Sequence, residues 1–176
     1  MANGQGGLSE ACFDRCCCDK GSKAHRLCRG QHGFDENGKE VSLKPRRSET
    51  CEAFVLDGCV FADNDPDPRC DGAFLWRGKA RKALVLVELK GANHLEKAVE
   101  QLAYVRYQRP EYAKLRDRLR DSDRERIQEK AFIITNGSMT KPLREKLENH
   151  YAIRVSEVIQ TEPTQPKPDL RDWLNG

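Results

Sequence analysis

The run ALVLVELK at residues 83–90 constrains the fold more than any other segment. It is apolar on both faces until its last three residues, the pattern of a strand in the middle of a sheet. Such a strand needs neighbours on both sides and cover on both faces, so the rest of the chain must supply further strands and packing elements. Two strands are predicted upstream. CEAFVLDGCVFAD, from Cys51, is an apolar run broken at Asp57-Gly58, and CDGAFLW, from Cys70, follows the proline-containing turn DNDPDPR. The basic turn RGKARK then connects CDGAFLW to residues 83–90 as an antiparallel hairpin.

Downstream, residues 92–108 predict a helix, because Leu95, Ala98, Val99, Leu102 and Val105 recur at three- and four-residue spacing and form one apolar stripe for the sheet. Residues 111–130 are dense in both charge signs and read as a solvated helix or helical hairpin. AFIITNG is a fourth strand, Thr140-Lys141-Pro142 opens a helix to about His150, and AIRVSEVI is a fifth strand. The end, QTEPTQPKPDLRDWLNG, reads as an extended tail from which Trp173 and Leu174 dock back. Residues 1–50 show little periodicity beyond a short helix over LSEACFDRCCCDK.

The expected organisation is a Cys-rich N-terminal extension at 1–50, a core at 51–160 and a Pro-rich tail at 161–176. The expected class is α/β (α+β), with a mixed sheet of about five strands flanked by helices.

With 176 residues the chain is long enough for one domain with a real core. Its net charge of +3, from 31 basic and 28 acidic residues, is too small to identify a partner, so any nucleic-acid footprint must come from local clusters. No apolar run approaches the roughly 18 residues of a membrane span, and MANGQGGLSEACFD lacks a basic region followed by an apolar one, so neither a span nor a secretory signal is expected. A cytoplasmic protein is expected. In a reducing compartment, eight cysteines point to metal ligation or to small buried side chains.

Three charged residues interrupt the predicted sheet core: Asp71, Glu88 and Lys90. Side chains alternate along a strand, so Glu88 and Lys90 share a face, and the hairpin sets Asp71 opposite them. Two carboxylates so close repel one another unless a cation lies between them, and hard oxygen donors suit Mg²⁺ or Mn²⁺. A metal held by Asp71 and Glu88 would activate water and offset charge on a phosphodiester, with Lys90 orienting or deprotonating that water or stabilising the phosphate.

The pattern CDGAF, then VELKG at the end of the next strand, resembles the Asp and Glu-x-Lys core of the PD-(D/E)XK, or restriction-endonuclease-like, nuclease superfamily. QLAYV, with Gln101 and Tyr104, resembles the Gln-x-x-Tyr helix motif of its RecB-like branch. The similarity spans residues 51–159. It implies a restriction-endonuclease-like core and a Mg²⁺- or Mn²⁺-dependent hydrolase cutting nucleic acid, DNA foremost and as an endonuclease, in defence, repair or recombination. It also implies catalytic roles for Asp71, Glu88, Lys90 and Gln101, and a further acid upstream, for which Glu52 is preferred over Glu49 and Asp57 is another candidate. Some relatives carry an iron-sulfur cluster, but its cysteines flank the core on both sides, and here none follows Cys70.

Cys12, Cys16, Cys18, His25 and Cys28 cluster closely enough to serve as Zn²⁺ ligands, although strict paired spacing is absent and free thiols fit equally well. Cys51, Cys59 and Cys70 fall on predicted strands and read as small buried residues. The nucleic-acid surface is assigned first to Lys44, Arg46 and Arg47 in KPRRSET, with Tyr104 beside them as a ligand-contacting candidate; Arg77, Lys79, Arg81, Lys82, Arg106 and Arg109 are further basic candidates. A protein partner or a homodimer is compatible with the pattern. The leading alternative is a non-catalytic nucleic-acid-binding or assembly module on the same scaffold with a zinc clip, and the third reading is a small zinc-dependent regulator.

Overall fold

The computed structural model describes residues 10–19, 25–122 and 124–174. Within these, a five-stranded mixed sheet runs in the order β3-β4-β5-β6-β7, made of β3 (Thr50–Val55), β4 (Gly72–Arg77), β5 (Lys82–Lys90), β6 (Ile127–Thr135) and β7 (Glu157–Gln160). The first three strands are antiparallel and the last three parallel. β5 is central, as its two-faced apolar pattern requires, and eight of its nine residues are buried.

Alternation along β5 divides the core into two layers. Leu84 and Leu86 face α2 (Leu95–Gln108), α3 (Pro110–Leu119) and α4 (Lys141–Tyr151), packing with Leu95, Leu102, Leu115 and Leu147. Val85, Val87 and Leu89 face the other way, against Phe34, Val41, Leu43, Leu170 and Leu174. The predicted α2 stripe is buried as expected. Thr140 stands at the start of α4, followed by Pro142 in its first turn, although no hydroxyl cap bond forms.

Four differences from the sequence reading have physical causes. First, the segment before Cys51 contains a hairpin of β1 (Gly33–Glu36) and β2 (Lys39–Ser42) that covers the sheet and inserts Phe34, Val41 and Leu43 into the core. Its turn is Asn37-Gly38, both at positive φ, which is what a two-residue hairpin connection demands. Only part of the predicted N-terminal helix is seen, as α1 (Glu10–Arg15); positions 1–9 and 20–24 lie outside the described residues.

Second, the charged stretch after α3 does not remain helical: β6 begins at Ile127, because the Lys82 end of β5 supplies a parallel partner for Ile127 to Lys130. Third, β3 ends at Val55, so the Asp57-Gly58 break is a turn, as its sequence suggests, with Gly58 at φ 79°, but the remainder of the run leaves the sheet instead of continuing the strand. Fourth, Cys59 is not a plain buried residue but is disulfide-bonded to Cys16, and Cys18 is bonded to Cys28. Cys51 and Cys70 are buried thiols, as expected.

The tail docks as predicted. A 3-10 helix at Leu170–Leu174 buries Leu170 and Leu174, and Trp173 meets Phe132 edge-on. Arg171 fastens it by donating to Glu49, which also accepts from the Trp76 indole N–H at 3.0 Å. The Arg171 guanidinium holds the Glu49 carboxyl down at about 2. Among the described residues, no helix is long and apolar enough to cross a membrane.

Gly72 tests the seat of the hairpin on the sheet. A Cβ there would stand 2.6 Å from two ring atoms of Phe34, which is fully buried against Phe74 with ring centroids 4.8 Å apart and has little room to move. Gly72→Ala should therefore destabilise the fold by about 1–3 kcal/mol through overpacking, read as a lower urea midpoint. An unchanged midpoint would show that the hairpin is not seated as described.

Candidate active site

The site follows from one register. β4 pairs with β5 so that Gly72 lies opposite Val87, which places Asp71, the residue just before β4, against Glu88. Both side chains lie on the helix-covered side of the sheet, continuing the rows Ala73-Leu75 and Leu86-Leu84. They are interlocked crosswise: the Asp71 N–H donates to Glu88 Oε2 at 3.0 Å, and the Leu89 N–H donates to Asp71 Oδ2 at 2.6 Å. Lys90 Nζ stands 2.8 Å from Glu88 Oε1. The predicted convergence of acid, acid and lysine is present.

These charges are held in a poorly solvated place. Asp71 is 6% exposed and Glu88 1%. Burial pushes the Asp71 carboxyl up to about 7, against the Leu89 N–H, while Glu36 repels it further. Burial, then repulsion by Asp71, drives Glu88 well above the carboxylate range, and Lys90 only partly offsets this. Burial acts to discharge Lys90 as well, but Glu88 outweighs it and keeps the ammonium above its ordinary value.

Asp71 opens onto a pocket of about 570 Å³ whose wall also includes Glu36, Asp57, Asp63, Arg69 and His25. Sequence reasoning weighed Asp57 but passed over Glu36 and Asp63. Glu36 reaches the pocket because it ends β1, directly before the Asn37-Gly38 turn. Asp57 is paired with Arg69 at 2.9 Å, so it is both a turn residue and a pocket acid.

Gln101 comes from α2 and donates to the Arg69 carbonyl oxygen, while its Oε1 is buried without a partner. A buried acceptor without a donor is costly and fits an amide that receives a hydrogen bond from a bound water or ligand. Tyr104, in contrast, packs beneath the Arg109 guanidinium at 5.7 Å, and Arg109 is itself bound to Asp65 at 2.6 Å.

Other predicted residues are not brought to the pair. Glu52 is engaged by Arg77 at 3.1 Å and Arg118 at 2.9 Å. Glu49, the other upstream acid considered, serves Arg171. Lys44, Arg46 and Arg47 are exposed just before Thr50, whose β4 partner is Arg77. That is five residues along β4 from Gly72, so they stand about 17 Å away at the opposite end of the strand.

The candidate zinc ligands are divided. Cys16 and Cys59 form one disulfide and Cys18 and Cys28 another, so four sulfurs that could have been thiolates are bonded to each other. Cys12 is a free thiol of intermediate exposure. His25 Nε2 is 3.4 Å from the Gly58 carbonyl oxygen.

Among the described residues, no group of three or more His, Cys, Asp or Glu side chains is arranged to hold a metal ion. The two carboxylates that could together serve as donors to a divalent cation are Asp71 and Glu88. Magnesium commonly binds through one or two carboxylates and retains waters, so the pair fits that chemistry, and the repulsion between the two acids is what a cation would relieve. No protein-family model matches the chain, and no curated protein or solved structure matches it significantly.

The raised carboxyls have a sign that can be checked. The folded protein retains protons that the unfolded chain has released, so this contribution to stability is fully present below about pH 4 and is lost as pH rises through the Asp71 value of about 7. In chelator, the melting temperature should fall between pH 5 and pH 8, by the equivalent of about 2–4 kcal/mol. Asp71→Asn should flatten that profile, and Mg²⁺ or Mn²⁺ should raise the wild-type value at pH 8. A melting temperature that stays level or rises with pH in chelator would contradict this electrostatic account.

Proposed function

We propose that the chain is a metal-dependent nuclease that hydrolyses phosphodiester bonds, with DNA as the favoured substrate and internal cleavage as the favoured mode. The observation that carries this reading is the interlocked pair Asp71 and Glu88 with Lys90 Nζ 2.8 Å from Glu88. The same residues, on an antiparallel strand pair followed by the helix bearing Gln101, support the resemblance to restriction-endonuclease-like enzymes, and with it a role in defence, repair or recombination.

Asp71 and Glu88 would hold a Mg²⁺ or Mn²⁺ ion, which when bound supplies Lewis acidity toward a phosphate oxygen and lowers the pKa of a coordinated water. The chain's own part is positional and electrostatic. The Leu89 N–H fixes the Asp71 carboxylate, and the Asp71 N–H fixes that of Glu88, so neither acid needs to reorient during reaction. Lys90, kept charged by Glu88, is suited to offsetting negative charge on the phosphate rather than to taking a proton. Gln101 can orient a water through Oε1 while its amide nitrogen is held by the Arg69 carbonyl.

The cytoplasm is the compartment expected from the sequence, but the pairs Cys16–Cys59 and Cys18–Cys28 speak for an oxidising one, where such bonds persist.

Purified protein incubated with plasmid, single-stranded DNA and RNA, in Mg²⁺, Mn²⁺ or chelator, tests the reading. Cleavage should require the cation, and Glu88→Ala and Lys90→Ala should each lower the rate by about 100-fold or more. Cleavage that survives both substitutions would remove these residues from the site. No cleavage of any substrate would turn the assignment toward a binding or assembly module.

A further inference from the structure

A second polar pocket, away from the two carboxylates, gathers basic side chains from four parts of the chain. Arg106 comes from the last turn of α2, Arg116 and Arg120 from α3 and its end, Arg124 and Arg126 from the connection to β6, and Lys130 from β6 itself. They line a pocket of about 720 Å³ whose acids, among the described residues, are Glu125 and Glu129. Six cations thus face two carboxylates.

Those carboxylates are already committed. Glu125 pairs with Lys82 at 2.9 Å. Glu129 accepts the Tyr112 hydroxyl at 2.7 Å and lies 3.7 Å from Arg106 and 3.8 Å from Arg116, longer than a good charge-assisted hydrogen bond. The Nε atoms of Arg116 and Arg120 are buried with no acceptor. Guanidinium donors left without an acceptor, in a pocket with surplus positive charge, are what an anion with several oxygens satisfies, and the planar fork of arginine matches phosphate.

We propose that this pocket binds phosphate groups of a nucleic-acid strand. The phosphate chemistry stands on the pocket alone, whereas the choice of a nucleic-acid strand rests on the nuclease reading. Position agrees with that choice. Glu129 is four residues along β6 from Ile133, the neighbour of Glu88, or about 13 Å. That is close to the rise of about four nucleotides in a B-form strand. The pocket would hold the strand at a fixed distance from the scissile bond, a task that exposed Lys44, Arg46 and Arg47 at the far end of β3 were expected to perform.

The test is fluorescence anisotropy of the full chain, in chelator so that nothing is cut, with labelled 20-mer duplex and single-stranded DNA over a range of salt. Arg116→Gln/Arg120→Gln and Arg124→Gln/Arg126→Gln keep side-chain length and polarity, and the second pair alters only exposed residues, so it remains informative should the first fail to fold. Each double variant should bind about tenfold or more weakly, with a slope of log affinity against log salt shallower by about 1–2. Inorganic pyrophosphate should compete with the DNA for the wild type.

Unchanged affinity and slope in the Arg124→Gln/Arg126→Gln protein would overturn the proposal. So would pyrophosphate binding without DNA binding, which would make the pocket a site for free phosphates. Arginine-dependent DNA binding by a wild-type protein that never cleaves would sink the nuclease reading and leave this one standing. Cleavage with arginine-independent binding would do the reverse.

Discussion

The antiparallel register of β4 on β5 is the constraint on which the rest of the site depends. With Gly72 opposite Val87, Asp71 and Glu88 meet on one face, and each carboxylate takes a backbone N–H from the other's strand. A slip of β4 by one residue would turn Asp71 to the opposite face, into the layer occupied by Phe74, Val85 and Val87, and part it from Glu88. The apolar rows on both faces of β5 prevent that slip, so the core that stabilises the sheet also fixes the spacing of the acids. Packing and chemistry share one determinant.

Around this pair the structure arranges two kinds of charge. Toward the pocket, Glu36 and Asp57 act to raise the Asp71 carboxyl, and Asp63 stands in the same wall. Toward the Lys82 end of β5 and β6, arginines from α2, α3 and the β6 approach outnumber the acids that line their pocket among the described residues. One sheet thus carries an acidic end, proposed to hold a metal ion, and a basic end, proposed to hold phosphates. The disulfides tie the chain near this site, because Cys59 follows the Asp57-Gly58 turn and Cys28 follows His25, both of which reach the pocket wall.

The central sheet and the acid pair were legible because they rest on short-range signals. The two-faced run of β5, the α2 stripe and the basic turn before β5 each carry a period or punctuation readable within a few residues. The Asn37-Gly38 hairpin was also written in the chain, as an Asn-Gly pair between Phe34 and Val41, but a charged sequence on either side hid its alternation. The polar half of β6 was not readable locally: Ile127 to Lys130 is a strand because β5 offers it a partner. Glu36 in the pocket and the Cys16–Cys59 bond join segments distant in sequence, whereas Asp63, the Cys18–Cys28 bond and most of the arginine pocket are local but carry no period that separates them from solvated loop and helix charges.

The central claim is that Asp71 and Glu88 are kept together, buried and mutually repelling, because a divalent cation is bound between them. Titrating Mn²⁺ into the chain and following the loss of its free-ion paramagnetic resonance signal measures that most directly. One site that is filled in the wild type and lost in both Asp71→Asn and Glu88→Gln is the predicted result. Undiminished Mn²⁺ binding in those variants, or no binding by a folded wild-type protein at millimolar Mn²⁺, would contradict it.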